Sequence, residues 1–357
     1  MGTEGSGFDQ VIHGDSLALA GRNSVKAQRV KIDWHAELPI YACESYLKAV
    51  SDDYGWIGGT DESGKLRCIL PYTIIRKPLI RMVRFRVETI PLGGELAMDE
   101  EESFLDSTVT FFRSTGADMI IPPTTNSVFR TYPRGALAAP YSTYIIDLQV
   151  DEGTLWTNIS RSYRKDIRGA ISKGVTIQGG IEQADIAHRL VRDTYKRSGL
   201  PFMSFKSFQR LLAGLGENAK LLVAYDQGIP QSCTAFHFSK HSAYAVHGGS
   251  IAGAVPGAMK LVQWEAMRIF RELGVRRFNL MGARVHPEKG SKQEGILLFK
   301  QHFGGKPVQG YIWKYPFHPL KYSLYRLAAR LLWGGDIVDT ERHKLQDFID
   351  RDVNRGA

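Results

Sequence analysis

Residues 220–248, KLLVAYDQGIPQSCTAFHFSKHSAYAVHG, hold three β-rich runs separated by two short polar turns. Lys220 to Tyr225 and Ile229 to Phe238 flank Asp226-Gln227-Gly228, and Ser242 to Gly248 repeats the signal after Ser239-Lys240-His241. Turns this short join only antiparallel neighbours, so the stretch reads as three antiparallel strands. On its C-terminal side, beyond Pro256-Gly257, the residues Met259, Val262, Ala266, Ile269, Phe270 and Leu273 recur at helical spacing up to Gly274. A strand from Arg277 to Leu280, a helix near 294–302 and a strand near 307–314 follow. On the N-terminal side lie a strand, Val175 to Gln178, and helices over about 183–197 and 204–214, with Ser204 as N-cap. Before them Leu155, Ile159, Tyr163, Ile167 and Ala170 are spaced for one helix from Asp151 to Lys173, with Gly174 at C′.

The first half gives a rougher version of the same order. A helix is expected near Pro39 to Ser51, a hairpin over Tyr54 to Ile75 turning at Ser63-Gly64, and a strand from Met82 to Glu88. A helix over Glu100 to Ser114 and a strand from Asp118 to Pro122 complete it. The expected boundaries are 1–150, 151–317 and a helical tail, 318–357. In that tail Leu320, Leu324, Leu327, Ala328, Leu331 and Leu332 alternate with Lys321, Arg326 and Arg330, an amphipathic basic helix expected to pack on the domain and open to peripheral membrane contact.

A chain of 357 residues is long enough for two cores, and 43% hydrophobic with 23% charged residues excludes a disordered or fibrous chain. The formal charge of +9 favours an acidic partner, whether a nucleotide, a tRNA end or an anionic membrane surface. The three cysteines, Cys43, Cys68 and Cys233, are far apart, which argues against a disulfide scaffold or a zinc site and for a reducing compartment. Met1 to Asp9 does not read as a secretory signal, and no apolar run is long enough to span a bilayer. The expected location is the cytoplasm, with the inner face of the membrane open to the tail.

Arg161, Arg164, Lys165 and Arg168 fall at i, i+3, i+4 and i+7, opposite the apolar stripe. Such a ridge either binds phosphates or is simply solvated. His247 has an ordinary pKa in the range useful for proton transfer, yet a histidine before Gly248-Gly249 is as often structural. His237, His241, His286 and His302 show no metal-ligand spacing, and no metal is expected.

Three segments carry a resemblance to a known family. Residues 155–175, LWTNISRSYRKDIRGAISKGV, are similar to the opening of the second domain in FemX-like aminoacyltransferases of the GNAT superfamily. Residues 257–266, GAMKLVQWEA, up to Phe278-Asn279-Leu280-Met281-Gly282 resemble the family's helix and following strand, and residues 295–305, GILLFKQHFGG, its Phe-Lys…Phe-Gly-Gly signature. The order β-α-α-β-β-β-α-β-α-β matches the GNAT fold. The resemblance implies an α/β (α+β) protein of two GNAT-like domains, each a mixed, mainly antiparallel sheet flanked by helices, the second copy clearer than the first.

It also implies an acyltransferase in which an amine attacks an activated carbonyl and forms an amide. Lys300, beside Phe299, matches the family's lysine at the donor end, where an ammonium can meet a phosphate or an oxyanion. Tyr244 and His247 fall on or just after the fourth strand of the second half, where GNAT folds splay to admit the donor, so either is a candidate proton relay. Arg161, Arg164, Lys165 and Arg168 become donor-binding candidates. No cofactor is implied beyond the co-substrate, which is aminoacyl-tRNA or acyl-CoA. The turn 250–258, SIAGAVPGA, lacks the glycine pattern with which CoA-dependent GNAT enzymes cradle a pyrophosphate.

Two further departures concern partners. There is no coiled-coil arm after Gln178, and the family's first-domain Gln-Ser-Trp context is absent around Trp34 and Trp56. The leading expectation is transfer from aminoacyl-tRNA to an amine of a cell-wall precursor or small metabolite. An acyl-CoA N-acyltransferase serving polysaccharide, lipid or envelope assembly stands second, and a non-catalytic nucleotide- or RNA-binding GNAT-like protein third.

Overall fold

The computed structural model describes residues 25–355; the segment Met1 to Asp9 lies outside them. The N-terminal half runs β1 (Lys26–Val30), a short 3-10 turn, α1 (Glu44–Val50), β2 (Tyr54–Thr60), β3 (Leu66–Lys77), β4 (Ile80–Phe85), β5 (Ile90–Pro91), α2 (Met98–Ser114), β6 (Met119–Ile120) and β7 (Leu137–Asp147). The C-terminal half runs α3 (Glu152–Asn158), α4 (Arg161–Ser172), β8 (Thr176–Gly179), α5 (Ala184–Arg197), α6 (Phe205–Leu215), β9 (Ala219–Asp226), β10 (Ile229–Phe238), β11 (Ala243–Ser250), α7 (Ala258–Glu272), β12 (Arg277–Ala283), α8 (Lys292–His302) and β13 (Lys306–Pro316). The tail forms α9 (Pro319–Trp333) and α10 (Ile337–Arg355).

The expected elements of the second half are present. Gln227 and Gly228 take φ of 48° and 79°, the left-handed pair that closes a tight β9–β10 hairpin. Ser204 caps α6 by accepting from Ser207 N–H. One expectation is corrected: the helix drawn from Asp151 to Lys173 is two. The chain turns extended at Ile159, and Ser160 caps α4 by accepting from Tyr163 N–H. An N-capping serine inside an apolar period ends one helix and starts the next, because its side chain satisfies amides that the preceding turn has left open. The four basic residues all fall within α4 and keep their common face.

The strands form one continuous 13-stranded sheet in the order β1-β2-β3-β4-β6-β13-β7-β12-β11-β10-β9-β8, with β5 beside β3. The halves exchange their last strands. β7, from the N-terminal half, lies antiparallel to β12, whereas β13, from the C-terminal half, pairs with β6 through Tyr315↔Ile120. The two exchanged strands pair with each other from Lys306↔Ile145 to Lys314↔Leu137. The sequence boundary at residue 150 thus follows a strand that belongs to the other half's sheet.

Each half has its own core, one around Phe236, Phe270 and Phe278, the other around Phe85, Phe104 and Trp313. A third cluster joins them, bringing Tyr41, Tyr46 and Trp56 against Leu211, Leu215 and Tyr244. In the tail, Tyr322 and Tyr325 of α9 pack on Met82, Met119 and Ile121. Buried Lys314 bonds Asp336 at 2.5 Å and Asp339 at 2.7 Å, which pins the α9–α10 corner to β13. The leucines of α9 do not pack as expected: Leu320 is 84% exposed and Leu331 77%, with Leu324 and Leu327 also exposed on the same side.

Candidate active site

β11 and β12 run parallel, and among the described residues they pair only at Ala243↔Phe278 and Tyr244↔Asn279. Past that point the strands separate, and the facing backbone groups of residues 245–248 have no β12 partner. A gap in a sheet is a place where an extended acyl chain can take up the unpaired N–H and C=O groups.

Both strands bulge at the gap. On β11 the register shifts between Ala235↔His247 and Phe236↔Ala245, leaving Val246 as the extra residue. Tyr244 and His247, three apart, would face opposite sides of a regular strand; the bulge turns both to the side of His237, which pairs with Tyr244. On β12 the shift lies between Asn279↔Ile145 and Gly282↔Thr143. There Met281 sits at φ 67°, a conformation disfavoured for a side chain of its size. Asn279 Oδ1 holds this turn by accepting from Met281 N–H at 2.7 Å and from Thr143 Oγ1 at 2.9 Å.

Lys300 meets that bulge from α8. Its ammonium donates to the carbonyls of Met281 (2.8 Å) and Gly282 (2.5 Å), with the Tyr144 ring 6.0 Å away. The residue is 5% exposed, and burial lowers its pKa from 10.5 to about 7. Desolvation disfavours the charged form, and no carboxylate offsets it. Phe299, next to it, turns to the other side and packs on the core near Tyr163, 5.9 Å between rings.

Tyr244 is fully buried in the cluster between the halves, its ring 4.7 Å from that of Tyr41, and burial with the nearby Glu88 charge holds its phenol far above the ordinary range. His247 is half-buried between Phe202 (5.0 Å) and His237 (6.4 Å), and burial lowers it to about 4. Met281 packs on the cluster that holds Tyr244 while its carbonyl accepts from Lys300, so the structure brings these two candidates to opposite sides of one bulge.

The basic ridge lies elsewhere, on α4. Arg161, Lys165 and Arg168 are exposed and Arg164 is half-buried; the Arg168 guanidinium sits 5.3 Å over Trp156. Among the described residues Arg161, Arg164 and Lys165 have no acidic partner. The ridge reaches α8 only indirectly, through Tyr163 stacked 4.9 Å from His302. α4 also covers the entry of α7: a Cβ on Gly257 would collide with the Asp166 carbonyl, and the Asp166 side chain pairs with Lys260 in the first turn of α7. That entry is where a pyrophosphate would meet helix amides.

Sequence reasoning missed three residues beside the gap. Tyr41, Glu88 and His237 surround Tyr244, and Tyr41 Oη, Glu88 Oε2 and both ring nitrogens of His237 are buried without a hydrogen-bond partner among the described residues. The hairpin register that pairs His237 with Tyr244 was available from the turn position; nothing in the sequence tied Tyr41 or Glu88 to it.

Residues 160–290 match the model of the acetyltransferase (GNAT) domain. Together with the parallel, splayed β11–β12 pair, this gives residues 160–290 an acyltransferase domain of the GNAT type. The two-part fold of the whole chain is FemX-like. A crystal structure of FemX superposes with a TM-score of 0.59 at 14% identity, covering 81% of this chain and 93% of that one. The C-terminal domain of a putative lysylphosphatidylglycerol synthetase from Agrobacterium fabrum gives 0.49 at 16% identity, covering 82% and 93%. A tandem GNAT protein from the clavulanic acid biosynthesis pathway gives 0.45 at 11%, covering 76% and 87%. At these identities the likeness is one of fold. No curated protein sequence matches the chain. Among the described residues no helix is long and apolar enough to cross a membrane.

Proposed function

We propose that this acyltransferase forms an amide by moving an aminoacyl group from aminoacyl-tRNA to an amine of a cell-wall precursor or small metabolite. The observation that carries the reading is the open gap between β11 and β12 with Lys300 fixed behind it by two carbonyls. An acyl ester laid into the gap meets unpaired backbone groups, and as the tetrahedral oxyanion forms, the neighbouring ammonium stabilises it. Three further groups take roles in this reading. The unpaired Arg161, Arg164 and Lys165, with Arg168, serve the donor's phosphates, Phe299 shapes the wall behind Lys300, and His247 and Tyr244 line the acceptor side.

Two features favour tRNA over CoA as donor. α4 occupies the entry of α7 at Gly257, and the free cations lie on an exposed helix face suited to a polyanion. The exposed α9 leucines beside Lys321, Arg326 and Arg330 support peripheral contact with an anionic membrane at the cytoplasmic face. The chain uses no resident cofactor or metal in this reading.

The test is binding of purified protein to a bulk aminoacyl-tRNA pool and to acetyl-CoA, each titrated with salt. Salt-sensitive tRNA binding is expected, weakened on Arg164→Ala with a salt slope shallower by about 0.7–0.9, and no CoA binding. Saturable CoA binding without a preference for tRNA would replace this reading with the acyl-CoA one.

A further inference from the structure

The buried polar groups between the halves need an explanation, because an unpartnered donor or acceptor in a dry site is costly. His237 is 2% exposed, and an imidazole always presents one donor nitrogen, yet neither ring nitrogen has a partner among the described residues. Around it stand the aromatic rings of Tyr41 (6.1 Å), Tyr46 (6.3 Å) and His247 (6.4 Å), with Tyr244 against Tyr41. Glu88 lies between Val87 and Ile90, both members of this cluster, with Oε2 buried and without a partner among the described residues. At the margin of the cluster Glu88, Val246, His247 and Met281 are half-buried.

We propose that Tyr41, Tyr244, His237 and Glu88 form the acceptor site, that it takes a primary alkylammonium group, and that the Glu88 carboxylate removes its proton. The role given to the amine rests on the amide-forming reading above. Aromatic faces and a carboxylate together select a cation. The two histidines do not oppose it: burial lowers His237 to about 3 and His247 to about 4, so both are neutral at physiological pH. Burial and the Glu101 charge raise Glu88 to about 7, against the pull of Arg277, which suits a group that must take a proton and return it near neutrality. The remaining charges around the cluster, Arg84 and Arg86, approach Tyr46.

The step balances as follows. The ammonium gives one proton to Glu88, and the free amine nitrogen attacks the acyl carbon. The C–N bond forms and the ester C–O bond breaks. The second proton lost from nitrogen goes to the leaving oxygen, and Glu88 releases the first to solvent. Met281 is the shared wall, its side chain on this cluster and its carbonyl on Lys300.

The experiment uses n-butylammonium as probe and 1-butanol as its uncharged isostere, followed by the ring signals of labelled histidine and tyrosine. Butylammonium is expected to titrate His237 and Tyr41 saturably, and butanol not. Glu88→Gln is expected to weaken the probe at least tenfold, and Glu88→Asp to keep it within about threefold. In wild type the affinity should fall as pH drops from 8 to 5.5, where Glu88 takes its proton while both histidines stay neutral; this covers the case in which Glu88→Gln does not fold. No saturation, equal affinity in a folded Glu88→Gln protein, or undiminished binding at pH 5.5 overturns the proposal. Absence of tRNA binding would remove the donor assignment and leave this site standing.

Discussion

The two halves of the sheet repeat one arrangement and finish it differently. In each, three antiparallel strands lead through a helix to a strand that pairs in parallel at two positions: Met82↔Met119 and Val83↔Ile120 for β4 and β6, Ala243↔Phe278 and Tyr244↔Asn279 for β11 and β12. In the N-terminal half the opening beyond is zipped shut. Ile121 N–H donates to Val83 O, Thr124 N–H to Phe85 O and Asn126 Nδ2 to Arg86 O, and Phe85, Phe129 and Trp313 fill the space with rings 5.4 to 6.0 Å apart. In the C-terminal half the opening stays, and a bulge with a strained Met281 turns its carbonyls toward Lys300. A duplicated frame thus keeps its splay open in one copy only, and the closed copy places Tyr41 and Glu88 against Tyr244 of the open one.

The sharpest way to break this comparison is at Lys300. Lys300→Ala is expected to lower single-turnover aminoacyl transfer by about 100-fold or more. Its stability effect has a definite sign. Because the folded pKa is about 7, below the 10.5 of the free side chain, the unfolded chain binds the proton more tightly. The burial penalty is full below pH 7 and is relieved as pH rises toward 10.5. Lys300→Met should therefore gain roughly 3–5 kcal/mol relative to wild type at pH 6 compared with pH 10. A pH-independent difference in denaturant titrations would mean that Lys300 is not held dry.

Two asparagines occupy comparable posts, Asn279 at the open splay and Asn126 at the closed one, and both are buried. Each truncation to Ala is expected to cost about 1–2 kcal/mol in denaturant titrations. Only Asn279→Ala should also reduce transfer, about tenfold in kcat with KM little changed, since Asn279 positions the Met281 bulge. Equal kinetic effects from both would contradict the view that one splay is active and the other structural.

Gly310 tests whether the halves stand alone. It pairs with Tyr141 between the exchanged strands, and a Cβ there would collide with the Phe129 carbonyl. Gly310→Ala is expected to cost about 2–3 kcal/mol and to raise hydrogen exchange in both halves together. Loss of protection in one half alone would show that the exchange does not couple them.

Local patterns made the second half legible because its elements follow short turns and clear apolar periods. Asp226-Gln227-Gly228 fixed one hairpin, and Ser204 and Gly274 marked helix ends. The break at Ser160 was hidden since Leu155, Ile159, Tyr163 and Ile167 keep helical spacing across both helices. β7 escaped because Leu137 to Asp147 finds its partners in β12 and β13, far along the chain, and no local pattern names them. Lys300 was visible through its motif, whereas its partners are backbone carbonyls of a bulge. Tyr41 and Glu88 meet Tyr244 only by tertiary contact. The exposed leucines of α9 carry the period of a packed helix, so periodicity alone assigned them to a core they do not join.

The exchanged strands also set a schedule for synthesis. β6 waits for Tyr315 of β13 to emerge before its outer edge is paired, and β7 must hold its place until β12 is made. Contacts so distant in sequence close slowly and leave strand edges bare meanwhile. The N-terminal half therefore cannot finish on the ribosome ahead of the rest, and a chain truncated before β13 should need chaperone protection along β6 rather than fold as a free-standing domain.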